Sequence, residues 1–294
     1  MRAPLAFLAA SALSACAGAS GASRGQAETA TFRFAWPEGL RLGVLLRHEA
    51  RRADQPARGA LVRHLVVVEG RGDELWIRNQ DFQAHGDEED LAQNLRIAEA
   101  LVQVVGGDGA FRRAEGLDEG VAAVGPDTDE ARARVRDTLA RAAAEDWDAT
   151  VGAWRGLTLA AGAVHRKEVA GSLPLVPAVA TRISLEYGLE AMVPCGEDDT
   201  ERRCAALVYR GEPAASDRAA TAQRLGEALR RGEGPVELED FRARFETTLV
   251  TDPATLVPRR MTSRQELRMR VRLPDGRVRE VQERSEDEYR FEAE

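Results

Sequence analysis

Three groups of residues in this chain have types and spacings suited to chemistry. His48 and His64 sit on neighbouring apolar-alternating stretches, so antiparallel pairing would bring the two imidazoles together beside Glu49. That arrangement would serve as a metal site or an acid–base pair, although two strand-face histidines in ordinary hydrogen bonds is the commoner outcome. His85 and His165 fall in polar segments and are expected to face solvent. The run GEDDTE at 196–201 clusters carboxylates, but the regular oxygen spacing of a calcium loop is missing, so it reads as a solvated hairpin tip. Cys195 and Cys204 flank that tip without a nearby histidine or third cysteine, which argues against zinc. Trp147, Val151 and Trp154 share one helical face and form either core packing or a candidate ligand wall. The chain has no GxGxxG, phosphate loop, HExxH or GxSxG. No catalytic residue, metal ligand or cofactor is assigned, and the chain reads as a binding protein more readily than as an enzyme.

The elements that must position these residues follow from hydrophobic period. Phe32, Phe34 and Trp36 alternate with polar or small residues as in a half-buried strand, and Leu42, Val44 and Leu46 continue on a second. LVRHLVVVEG and ELWIRNQDF make a third and fourth, giving an antiparallel meander. From Asp87 the period lengthens: Leu91, Leu95, Ala98, Val102 and Val105 predict a helix stopped by Gly106 and Gly107. A short strand around Phe111 and a linker containing Gly125 and Pro126 are expected next. A second helical region opens at Asp127 and runs past Trp147 and Trp154, and 162–177 reads as irregular. Alternation resumes from Ile183 to Val193, and a short helix covers 217–231. Three strands of about ten residues close the chain, with Asp275-Gly276 as a hairpin cue. The arginines of the last hairpin are interrupted by Glu266, Glu280 and Glu283, which predicts a solvated face with cross-strand ion pairs.

The expected fold class is α+β: a curved antiparallel sheet packed on helices, as a half-barrel or as two related halves. In broad layout this resembles the half-barrel periplasmic and lipoprotein carriers of lipids or lipoproteins. The resemblance is architectural, so no ligand residue is carried over from it.

The amino terminus carries a more specific signal. Arg2 precedes an apolar run from Leu5 to Leu13, too short to span a bilayer, and Leu13-Ser14-Ala15-Cys16 ends it. These four residues resemble the lipobox of a bacterial lipoprotein. The resemblance implies a signal peptide over 1–15, diacylation of the Cys16 thiol, and acylation of the new amino terminus, with palmitate among the groups added. Two or more acyl chains hold a protein stably at a membrane. Ala17 follows the cysteine where many inner-membrane-retained lipoproteins carry Asp, so the resemblance points to the outer membrane, on its periplasmic side or its surface.

Residues 16–30, rich in Ala, Gly and Ser, then form a flexible lipidated stalk, and 31–294 a single α+β envelope domain. The formal charge of −8, with positives and negatives interspersed, lacks the concentrated basic footprint of a nucleic-acid binder. In the oxidising compartment that export implies, Cys195 and Cys204 read as a disulfide, worth roughly 2.5 to 3 kcal/mol for so short a loop. The expected function is a non-catalytic, membrane-tethered envelope lipoprotein that binds a hydrophobic ligand or a protein partner. The alternative is a structural or assembly protein of the envelope without a ligand pocket.

Overall fold

The computed structural model describes residues 28–53, 55–87, 90–196, 199, 201–233 and 236–294. Signal peptide, Cys16 and nearly all of the expected stalk lie outside the described residues. In chain order the strands are β1 (Thr29–Thr31), β2 (Arg41–Arg52), β3 (Arg58–Arg71) and β4 (Glu74–Gly86), followed by helix α1 (Leu91–Ala100). Next come β5 (Val102–Gly106), β6 (Phe111–Glu115), α2 (Leu117–Val124) and α3 (Asp129–Trp147), which runs into a π-helical turn (Asp148–Gly152). Then follow β7 (Thr158–Ala160), β8 (Val164–Leu173), β9 (Val176–Pro194), β10 (Arg203–Pro213), α4 (Arg218–Glu233), β11 (Glu237–Thr251), β12 (Pro258–Arg272) and β13 (Val278–Ala293).

Eleven strands form one antiparallel sheet in the order β6-β5-β4-β3-β2-β13-β12-β11-β10-β9-β8, and β1 pairs with β7 separately. Two meanders run outward from the centre, where β2 and β13 pair from Leu42↔Ala293 to Arg52↔Glu283. The α+β class with a large antiparallel sheet therefore holds. The expected curved half-barrel does not. The sheet is open, neither curled nor closed, with β6 at one end of its strand order and β8 at the other. β6 offers only a five-residue ladder at its edge, too short to seal a barrel against β8.

Period-two alternation selects one face for burial. On β12, Met261, Ser263, Leu267, Met269 and Val271 are buried while Arg268, Arg270 and Arg272 are exposed. Opposite charges meet across the exposed face, as in Arg264 with Glu286 and Arg244 with Glu266. Two apolar clusters occupy the buried face. The larger gathers Trp147, Val151 and Trp154 with residues from β2, β3, β10, β12 and β13. The smaller packs Leu225 of α4, Leu173 and Val179 on Phe241, Leu267 and Met269.

Several local expectations need revision. Phe32, Phe34 and Trp36 do turn inward while Arg33 and Ala35 turn out, yet they form no strand of the sheet. The segment is tied instead to two loops, through Phe32 N–H to Leu157 (2.9 Å) and Arg33 N–H to Pro253 (2.9 Å). Helix α1 stops at Ala100 because the β-branched residues of VQVV enter the sheet as β5. The expected linker before Pro126 contains α2, which is preceded by Gly116 (φ +72°), where a Cβ would collide with the Ala100 carbonyl. Most of the stretch read as irregular is β8, and the start of β9 completes its hairpin. Helix α3 is capped by Thr128, whose hydroxyl accepts from Ala131 N–H at 3.1 Å. Among the described residues no helix is long and apolar enough to cross a membrane.

Candidate ligand-binding layer

The π-helical turn at the end of α3 aims two indoles at the sheet. Ala153 N–H reaches back to the Asp148 carbonyl at 3.0 Å, the wide turn that sets Trp147 and Trp154 on the inner side. Trp147 meets Phe34 and Trp36 edge-on, with centroids 5.7 and 5.4 Å apart, and its N–H donates to the Gly109 carbonyl at 2.9 Å. Trp154 contacts Tyr187 and Tyr209, each at 6.0 Å, and Tyr209 continues to Phe245 at 5.9 Å. An aromatic layer thus runs from the 32–36 segment through the helical turn to β9, β10 and β11. The three residues expected as a ligand wall are packed closed, at 1% exposure for Trp147, 0% for Val151 and 1% for Trp154.

Polar groups punctuate this layer. The Trp36 N–H and the Tyr209 hydroxyl are buried without a hydrogen-bond partner among the described residues. Burial drives the Tyr209 phenol well above its ordinary value; Thr247, a polar neighbour outside hydrogen-bond geometry, pulls the other way. Asp146, on the last turn of α3, accepts from Gln103 Nε2 of β5 at 2.9 Å. Burial pushes the Asp146 carboxyl up to about 6, with the Gln103 hydrogen bond opposing. Burial also raises its neighbours Glu145 and Asp148. The layer is therefore apolar with a few convergent polar groups, one of them a carboxyl poised to change charge near neutrality.

The histidines are arranged differently from the expectation. In the β2–β3 ladder His48 stands opposite Ala60, whereas His64 stands opposite Val44, four positions away. The two imidazoles form no pair, and Glu49 turns instead to Arg51. His48 Nδ1 contacts the Asp287 carboxylate at 2.6 Å, with both side chains under 10% exposed. His64 stacks on Phe82 at 4.9 Å, where the ladder is irregular and Asp81 adopts φ +58°. Burial pulls His64 down to about 4, against a hydrogen bond to the Asn79 side chain that favours the protonated ring. His85 is exposed at the end of β4, and His165 lies on β8 stacked against Tyr187 at 5.5 Å.

His48 and Asp287 belong to a longer buried row. Ala60, His48, Asp287, Ser263, Thr247 and Tyr209 stand in register across β3, β2, β13, β12, β11 and β10. Thr247 and Ser263 hydroxyls are 3.3 Å apart. Strand order puts the carboxylate between imidazole and serine, whereas base activation of a serine needs the imidazole between them. The row is suited to joining strands at the seam of the two meanders. Among the described residues no group of three or more His, Cys, Asp or Glu side chains is placed to hold a metal ion.

The Cys195–Cys204 disulfide is present and closes the β9–β10 hairpin, with Cys204 opposite Val193. The acidic run inside that hairpin lies partly outside the described residues. Two surface clefts of about 490 Å³ lie elsewhere, one beside Trp76 and one beside Phe241, and neither is lined by Trp147 or Trp154.

No protein-family model matches the chain, and no curated protein matches it. A solved structure described as "lipid-protein interactions in lipovitellin" aligns over 87% of this chain with 11% identity and a TM-score of 0.44. The chain spans 25% of the length of that protein.

Proposed function

We propose that this chain is a non-catalytic, lipid-anchored envelope protein that holds an amphipathic hydrophobic ligand between the α3 helical turn and the sheet. The observation that carries the reading is the pair of orphaned buried groups, Trp36 N–H and Tyr209 O–H, in an aromatic layer beside Asp146. A buried polar group without a partner costs about 1 to 3 kcal/mol, which a ligand headgroup entering the layer would recover. Apolar chains of that ligand would replace the contacts that Trp147, Val151 and Trp154 now make with protein. Entry requires the helical turn to lift, and α3 buries only Leu139, Ala143 and Trp147, a thin attachment for 19 residues. Acylation at Cys16 would keep the layer near its lipid source.

Native mass spectrometry of the gently extracted full-length protein tests the reading, together with quenching of its tryptophan fluorescence by a brominated fatty acid. Saturable quenching, weakened several-fold by Tyr209→Phe, is expected. A persistently empty protein with no saturable quenching sinks it. For the anchor, a labelled fatty acid should appear on the mature chain and be lost in Cys16→Ser.

A second reading rests on a different observation. β8 is an edge strand of ten residues, and Val164 on it is 59% exposed. An open edge of that length can accept a strand from another envelope protein. Crosslinks from a photoreactive residue at 164 to one partner would favour this reading over the ligand carrier.

A further inference from the structure

We infer that the cleft between the amino-terminal end of β11 and the β10–α4 connection is a binding site for a phosphate-type oxyanion. This cleft, of about 490 Å³, is lined by Arg218, Arg242, Arg244 and Arg268, by Glu212 and Glu266, and by the apolar floor of Pro213, Phe241 and Ala243. It lies at the opposite cluster from the aromatic layer and stands independently of it.

The ladder explains the positive surplus. Arg244 stands opposite Glu266, a favourable cross-strand pair, but Arg242 stands directly opposite Arg268. Like charges facing each other across a sheet destabilise it unless an anion lies between them. Glu266 cannot serve Arg242, because its carboxylate already takes Arg244 and Arg268, each at 2.6 Å, and Gln282 at 3.3 Å. Arg242 has no ion pair among the described residues, and Glu212 pairs with none of the four arginines. Arg218 is held at the rim by a 3.1 Å hydrogen bond to the Phe241 carbonyl and a 3.6 Å contact with Asp240.

Charge then selects the ligand class. Four arginines against Glu212, Glu266 and the Asp240 that meets Arg218 leave one positive charge uncompensated, and it sits where Arg242 faces Arg268. A phosphate monoester carries about −1.5 to −2 near neutrality and presents three oxygens to guanidinium forks, whereas a carboxylate brings one charge and two oxygens.

Calorimetric titration of the full-length protein with inorganic phosphate, at fixed ionic strength, tests the assignment. Saturable binding is expected, weakened about tenfold or more by Arg242→Gln and by Arg268→Gln. Arg290→Gln, far along the same sheet on β13, should leave it unchanged, and thermal melts should show all three variants folded. Absence of saturable binding, or equal weakening by Arg290→Gln, overturns the site. Flotation of full-length Cys16→Ser protein with phosphatidylcholine vesicles, with and without phosphatidic acid, separates the sources. Retention that needs phosphatidic acid and both arginines assigns the phosphate to a lipid headgroup. Phosphate binding without retention assigns it to a free solute.

Discussion

Asp146 should make the folded protein lose stability as pH rises, and Asp146→Asn should remove that loss. Its carboxyl moves from an ordinary 3.8 to about 6 on folding, driven by burial against the Gln103 hydrogen bond. Between those values the folded state binds a proton that the unfolded state has released, so stability falls as pH climbs through the window. At roughly 1.4 kcal/mol per pH unit, and with its partial exposure trimming the effect, the cost at pH 7 is about 2 to 3 kcal/mol. Asn copies the neutral acid and can still accept from Gln103 Nε2. The variant should therefore match the parent near pH 4 and exceed it by about 2 to 3 kcal/mol at pH 7. Urea unfolding followed by circular dichroism across that range, with the parent subtracted at each pH, isolates this group from the other carboxyls. A difference that stays flat with pH, or a variant less stable at pH 7, would refute the placement of Asp146 in a desolvating layer.

His64 should act with the opposite sign: buried at a value of about 4 against 6.5 when unfolded, it adds stability as pH rises through that interval, by about 3 kcal/mol. His64→Phe should flatten this rise in the same urea series, and an unchanged slope would exclude it as the source. At the seam, His48→Ala or Asp287→Ala alone should cost about 3 kcal/mol by stranding a buried partner, with the double variant costing about 1.5 kcal/mol or more less than the sum. Strict additivity in a denaturation double-mutant cycle would show that the pair is not coupled. Replacing Cys195 and Cys204 together by Ser should lower stability by about 2.5 kcal/mol, read from the urea midpoint under oxidising conditions.

What could be seen in the chain follows from how local each signal is. The long strands β3, β9, β11, β12 and β13 announce themselves because their alternation is dictated by one wet and one dry face. The inward turn of Phe32, Phe34 and Trp36 is visible for the same reason. Their partners are not, since alternation reports a face and says nothing about what lies across it. The continuation of Leu91 and Leu95 to Val102 and Val105 fits a helical period, and only sheet pairing with β4 shows where the helix must end. β8 escaped notice because its first five residues, VHRKE, are all exposed and only Leu173 at its end is buried, so no alternation marks it, as an edge strand permits. The His48–Asp287 contact joins residues 239 apart in sequence and depends on register across the central seam. Asp146 and Tyr209 carry no sequence mark of their roles, which arise only when α3 comes down on the sheet.

The expected tether and the aromatic layer meet at one place in the fold. β1 begins at Thr29, and Glu28 accepts a hydrogen bond from Ala161 N–H at 2.8 Å, so the chain enters alongside β7. β7 follows within a few residues of Trp154, and Phe32 N–H is bonded to the Leu157 carbonyl between them. Twelve residue steps lead from Cys16 to Glu28, a reach of at most about 43 Å when fully extended. If Cys16 carries the acyl chains, the Trp154 end of the layer is therefore confined to the membrane's vicinity, because the entry point is fixed by backbone pairing. Inserting twelve Gly/Ser residues between Cys16 and Glu28 would relax that confinement without touching a described side chain. Ligand occupancy in native mass spectra should fall while melting temperature stays constant. Unchanged occupancy would mean that the layer fills from solution, and that the anchor serves only to keep the protein in the envelope.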